Sequence, residues 1–158
     1  MFERVLVPLD GSKVGEAALP VIEQLVAKLD PGSKVDVTLL GVITMLRHWV
    51  VVGEASAPVS YSEEELKIIK DRVMDYLVKK GETLKEGGVN ITTIVKSGNA
   101  ADEILKTADE VKANLIAMST HGRSGLRRLA FGSITDKVLH GSRIPVLMVR
   151  APEGTMNE

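Results

Sequence analysis

The chain has 158 residues, enough for one domain with a real core, and its 44% apolar and 26% charged content is ordinary globular composition. A net charge of −1 and only 3% aromatic residues argue against a nucleic-acid surface, a base-stacking platform or attraction to an anionic membrane. The lack of cysteine removes disulfides, thiolate metal sites and cysteine nucleophiles, and His48, His121 and His140 have no metal-motif spacing.

Val5-Leu6-Val7 opens the chain as a short β-type run ended by Pro8. No basic region followed by an apolar stretch precedes it, and no run approaches about 18 uncharged apolar residues. The expectation is a cytoplasmic protein with no leader and no membrane span. Val14, Ala17, Ala18, Val21, Ile22, Leu25, Val26 and Leu29 then recur at helical spacing, and Pro31-Gly32 stops the helix. Val35 to Ile43 reads as a strand buried on both faces.

Met45 to Ser60 has no clear period. Either this partly apolar stretch covers a ligand or meets a partner, or it packs on its own subunit. Ser62 and Glu65 form a capping box for a long charged helix running to about Glu86. Val89 to Val95 alternates as a strand with one face less buried. Asn99 caps a helix carrying Ile104, Leu105, Ala108 and Val111. Leu115 to Met118 is a fourth buried run, a helix runs from about Gly132 to His140, and Val146 to Val149 is the last strand. Residues 151–158 read as a polar tail after a single domain spanning residues 1–150.

The order β-α-β-α-β-α-β-α-β predicts an α/β fold: a five-stranded parallel sheet covered by helices on both faces, Rossmann-like in plan. Ligands of such sheets bind beyond the carboxyl ends of the strands, where the strand order reverses. Two loops leave those ends suggestively: Pro8 to Ser12, and the glycine-containing stretch Ser119 to Phe131. With the fourth strand beside the first, both loops open on one crevice. In the second loop nine residues lie between Gly122 and Gly132, and Ser133 follows directly. A glycine loop running into a helix start can hold phosphate, because backbone N–H groups there lack intrahelical partners and the helix dipole adds positive charge. Arg123, Arg127 and Arg128 add charge nearby; for the last two a solvated basic face is an equal reading. A GxxxxGK[ST] loop and a GxGxxG turn are both absent, which disfavours P-loop NTPases and dinucleotide enzymes.

From residue 3 to residue 150 the chain resembles the universal stress proteins. The resemblance rests on Val5-Leu6-Val7-Pro8-Leu9-Asp10-Gly11-Ser12, Gly98-Asn99-Ala100, Met118-Ser119-Thr120-His121-Gly122-Arg123 and Pro145-Val146-Leu147-Met148-Val149. It implies the sheet order 3-2-1-4-5 and, for the ATP-binding branch, a G-x2-G-x9-G-[ST] motif after the fourth strand. Carried over residue by residue, Gly122, Gly132 and Ser133 would line phosphates, with Ile134 adding a backbone N–H. Pro8, Leu9 and Asp10 would hold the nucleoside, and Val42 would meet adenine or serve as plain core. Asp10 either accepts from the nucleoside or caps the first helical region. Met118, Ser119, His121 and Arg123 complete the expected cofactor-binding set. His121 reads chiefly as a loop-ordering hydrogen bonder, since no partner acid is placed beside it.

Two departures stand out. Ser119 replaces the first glycine of the motif; it adds a Cβ, and its hydroxyl is expected to be able to bind phosphate itself. Gly41 precedes Val42 and is expected to leave extra room near the base. The resemblance further implies ATP as ligand, with AMP or ADP as variants and Mg2+ or Mn2+ as companion cation, and a homodimer through the edge strand Val146–Val149. The leading reading is a nucleotide-binding stress-response regulator acting through occupancy and partner contacts. The alternatives are a member that binds no nucleotide and serves as an interaction module, and a slow ATPase, for which no acid–base pair is visible.

Overall fold

A computed structural model of the chain describes residues 3–29, 33–44, 47–52, 55–85, 89–120, 132–152 and 155. Its elements are β1 (Arg4–Pro8), a 3-10 turn (Gly15–Ala17), α1 (Ala18–Ala27), β2 (Val35–Ile43), β3 (Arg47–Val52) and β4 (Ala55–Ser60). There follow α2 (Glu63–Lys85), β5 (Val89–Ser97), α3 (Ala100–Glu110), β6 (Leu115–Thr120), α4 (Ser133–Gly141) and β7 (Val146–Arg150).

Five strands form one parallel sheet in the order β5-β2-β1-β6-β7. With the two strands of the hairpin left out of the count, this is the expected 3-2-1-4-5. The central strands β2, β1 and β6 bury both faces along most of their length, as their near-continuous apolar runs require, whereas β5 and β7 are only partly buried. Val5, Val7, Val35, Val37, Leu39, Leu115 and Ala117 pack with Ala18, Leu19 and Ile22 of α1 and Leu77 and Leu84 of α2. The alternate residues Leu6, Leu40, Ile116 and Met118 face the other way, onto Ala101, Ile104 and Ala108 of α3 and Val138 of α4. The period-2 alternation of a strand thus assigns each helix pair its own side.

The caps read from the sequence are made. Ser62 N–H donates to Glu65 Oε2 at 2.7 Å and Glu65 N–H donates to Ser62 Oγ at 3.2 Å. Asn99 Oδ1 accepts from Asp102 N–H at 3.2 Å. The first helix begins later than its apolar pattern suggests, in a 3-10 turn, with the α-helix proper starting at Ala18. Pro20 then falls in the first α-turn, where its missing N–H costs no hydrogen bond.

Three expectations change. Met45 to Ser60 contains an antiparallel hairpin, β3 against β4, with Arg47 opposite Ser60 and Val52 opposite Ala55. Gly41 leaves no room near the crevice. A Cβ built there would lie 2.5 Å from Val73 Cγ1, so the missing side chain lets α2 close onto β2 on the opposite face. The polar tail begins after residue 151, because Ala151 is buried and its N–H donates to Thr120 O at 3.0 Å. Of that tail, residues 153, 154 and 156–158 lie outside the described residues.

Candidate functional site: a crevice at the carboxyl ends of the central strands

A cavity of about 430 Å³ opens where β1 parts from β6, the point at which the strand order reverses. The strand ends supply Pro8, Leu9, Leu40, Val42, Met118 and Ser119. Asp10 and Gly15 line the side formed by the first βα loop, and Gly132, Ser133 and Ile134 line the side formed by the start of α4. Nine of the twelve residues expected from the sequence therefore meet around one space. The other three, His121, Gly122 and Arg123, lie outside the described residues, as do Arg127 and Arg128.

The first loop is held by its own polar groups. Asp10 Oδ1 accepts from Ser12 N–H at 2.9 Å and from Ser12 O–H at 2.6 Å. Ser12 Oγ in turn accepts from Gly15 N–H at 2.9 Å. Gly11 bends the chain between them at φ +82°, a region that glycine enters without strain. Asp10 thus spends one carboxylate oxygen on ordering the turn ahead of the first helix, the capping-type role among its two expected ones. These bonds leave its Oδ2 free in an exposed position. Leu9 N–H donates to Leu40 O at 2.8 Å, which extends the β1–β2 ladder to the rim of the cavity.

The Ser119 hydroxyl has a partner within the chain. The residue lies in the β6–β7 ladder opposite Val149, away from the left-handed region, so the position makes no conformational demand for glycine. Its Oγ donates to Gly15 O at 3.0 Å, so its proton is used within the chain, joining the end of β6 to the first helical turn.

At the start of α4, Gly132 is the N-cap residue, and no side-chain cap is made among the described residues. The exposed Ser133 side chain makes no hydrogen bond among the described residues. Gly132 has φ −58°, which any residue adopts, and a Cβ built on it meets nothing within 4 Å. Neither backbone conformation nor packing among the described residues calls for a glycine there. Asp10 is the one charged side chain among the described lining residues. No group of three or more His, Cys, Asp or Glu suited to a metal ion occurs among the described residues.

Seven lining residues escaped the sequence reading: Gly15, Leu40, Thr44, Ala100, Ile104, Thr120 and Thr135. Thr44 and Thr120 follow from alternation, each two residues beyond a residue already picked out. Ala100 and Ile104 carried a signal too, since a helix beginning at Asn99 aims its first turn at the same end of the sheet. Gly15 had none.

A model described as the universal stress protein family matches residues 1–150. The chain belongs to that family. Universal stress protein YxiE of Bacillus subtilis is 30% identical over 150 residues, spanning 95% of this chain and 100% of its own length. The solved structure of MJ0577 from Methanocaldococcus jannaschii has a TM-score of 0.66 at 24% identity, over 98% of this chain and 99% of that one. A universal stress protein solved in complex with cAMP has a TM-score of 0.63 at 21% identity, over 96% and 98% of the two chains. The Arabidopsis thaliana family member solved with AMP bound has a TM-score of 0.58 at 16% identity, over 98% and 99%. At these identities the structural likeness is one of fold. The universal stress protein plan accounts for the five-stranded sheet and its order. No helix among the described residues is long and apolar enough to cross a membrane.

Proposed function

We propose that this universal stress protein binds an adenine nucleotide, ATP first among them, in the crevice between the first βα loop and α4, and that occupancy is what its partners read in a stress response. The observation that carries the reading is the helix start at Gly132, which among the described residues has no side-chain cap and no atom within 4 Å of where a Cβ would stand, and which lines the same cavity as Asp10 and Val42. An anion seated there would take the N–H groups of Ser133 and Ile134 and the hydroxyl of Ser133, and a dipole end favours it. The free oxygen of Asp10 suits an adenine amino group or a ribose hydroxyl. Val42 and Leu40 offer an apolar wall for the base. Two family members solved with AMP and with cAMP support an adenine ligand. In this reading Gly122, His121 and Arg123 supply further contacts to the phosphates, and Mg2+ or Mn2+ accompanies a triphosphate.

We also propose a twofold homodimer through β7. This strand pairs with β6 and stands last in the sheet, and an apolar edge of that kind invites a second strand. No residue is assigned a catalytic role.

Calorimetric titration with Mg-ATP tests the nucleotide reading. Saturable heat with a dissociation constant below about 1 mM is expected. No heat up to that concentration overturns it. Sedimentation at several protein concentrations tests the dimer, and a monomer throughout overturns it.

A further inference from the structure

A polar cluster lies outside the cavity yet is tied to its first loop. Glu16, in the 3-10 turn, receives the Tyr76 hydroxyl on Oε1 at 3.1 Å and the Lys80 ammonium on Oε2 at 2.8 Å. Tyr76 and Lys80 sit one turn apart on α2, with the ammonium 5.8 Å from the centre of the Tyr76 ring. The Glu16 and Lys80 side chains are only 17% and 25% exposed, so the pair is largely shielded from water. None of the three residues lines the cavity.

What they adjoin gives the cluster its meaning. The peptide before Glu16 carries the Gly15 carbonyl that accepts from Ser119 Oγ. The Gly15 N–H holds Ser12, and Ser12 holds Asp10. A Cβ on Gly15 would collide with the Asp10 carboxylate, so the turn is closely packed on the residue that faces the cavity. Fixing the Glu16 carboxylate to α2 fixes the turn, and the turn orients both the Asp10 loop and the acceptor that anchors the end of β6. Burial and the adjoining Glu16 carboxylate, with Asp10 adding to them, raise the Tyr76 phenol well above its ordinary value, which keeps it a donor.

We propose that Glu16, clamped by Tyr76 and Lys80, is a positioning residue that holds the Asp10 loop and the Ser119 end of β6 in register. Its consequence for affinity rests on the nucleotide reading above; the register itself does not. The link through Ser119 is possible in this chain because a side chain stands where the family motif has glycine.

Amide hydrogen exchange on the ligand-free protein reads the register directly. In Tyr76→Phe and Lys80→Met the Ser12 and Gly15 amides should exchange roughly fivefold faster, while the Val111 amide at the end of α3 keeps its rate. Lys80→Arg should restore the wild-type rates. ATP titration of the same proteins should show weaker binding by a similar factor. Adding Ser119→Ala to Tyr76→Phe should then cost less than the product of the two single losses. Unchanged loop amides, or a uniform rise across the molecule, overturn the proposal. A loop that responds in a protein that binds no ATP leaves the positioning role standing and removes the nucleotide reading. ATP binding with an indifferent loop does the reverse.

Discussion

On one side of the crevice, between Asp10 and Gly15, the polar groups are bonded to one another; on the other, from Gly132 to Thr135, the helix start has no side-chain cap among the described residues. The first side is ordered by its own hydrogen bonds, which use only one oxygen of Asp10. The second keeps hydrogen-bonding capacity that no side chain among the described residues uses, and that capacity is what the proposed nucleotide would meet. A crevice with one rigid side and one open side can orient a small molecule and still gain strongly from its charge.

The sharpest way to break this contrast is at Gly132. Gly132→Val fills the open space, and ATP affinity should fall by roughly tenfold or more while stability changes by no more than about 1 kcal/mol. Calorimetry and urea unfolding measure the two. Gly132→Ser makes the signs diverge. Serine caps the helix and should add a few tenths of a kcal/mol, yet it competes with the anion for the same N–H groups and should weaken binding.

Gly15→Ala tests the ordered side. The new methyl meets the Asp10 carboxylate and should cost about 1–3 kcal/mol in urea unfolding, with weaker binding as a secondary effect. A smaller pair sharpens the comparison because the chemistry is the same on both sides. Ser12→Ala should cost about 1 kcal/mol of stability, since its hydroxyl both donates and accepts inside the loop. Ser133→Ala should leave stability within about 0.5 kcal/mol and weaken ATP by a few-fold. Equal stability losses at the two serines would erase the distinction.

The smallest effect concerns pH. Tyr76 has a folded-state pKa raised above its unfolded value near 10. As pH rises past 10 the unfolded chain loses this proton first, so stability falls with rising pH there. Tyr76→Phe should show a shallower decline in that range when unfolding is followed against pH, and an identical slope would count against a phenol held protonated by burial and the adjoining Glu16 carboxylate.

Much of the fold was legible because it depends on periodicity and local caps. The buried strand runs, the Ser62–Glu65 box and the Asn99 cap are signals a few residues long, and each is realised. The hairpin β3–β4 was not legible, since Pro58 sits within its second strand and weakens the pattern of a paired run. Gly41 was misread by one step of alternation: Leu40 and Val42 face the crevice, so the residue between them must face α2. The partner of Ser119 had no local signal at all, because Gly15 lies 104 positions away in sequence. Of the candidate site, topology alone brought the loops Pro8 to Ser12 and Ser119 to Phe131 toward one crevice, while Val42 and Gly132 to Ile134 were picked out by the resemblance to the universal stress proteins.

The place of β1 has a consequence for how the chain is made. It is the first strand in sequence and the middle strand of the sheet, paired with β2 on one side and with β6 on the other. During synthesis its second partner emerges only after about a hundred more residues have been added, and α4 later still. Until then one edge of the central strand stays open, and the crevice has its first side without its second. The pocket therefore forms only after β6 and the start of α4 have joined the strands made before them.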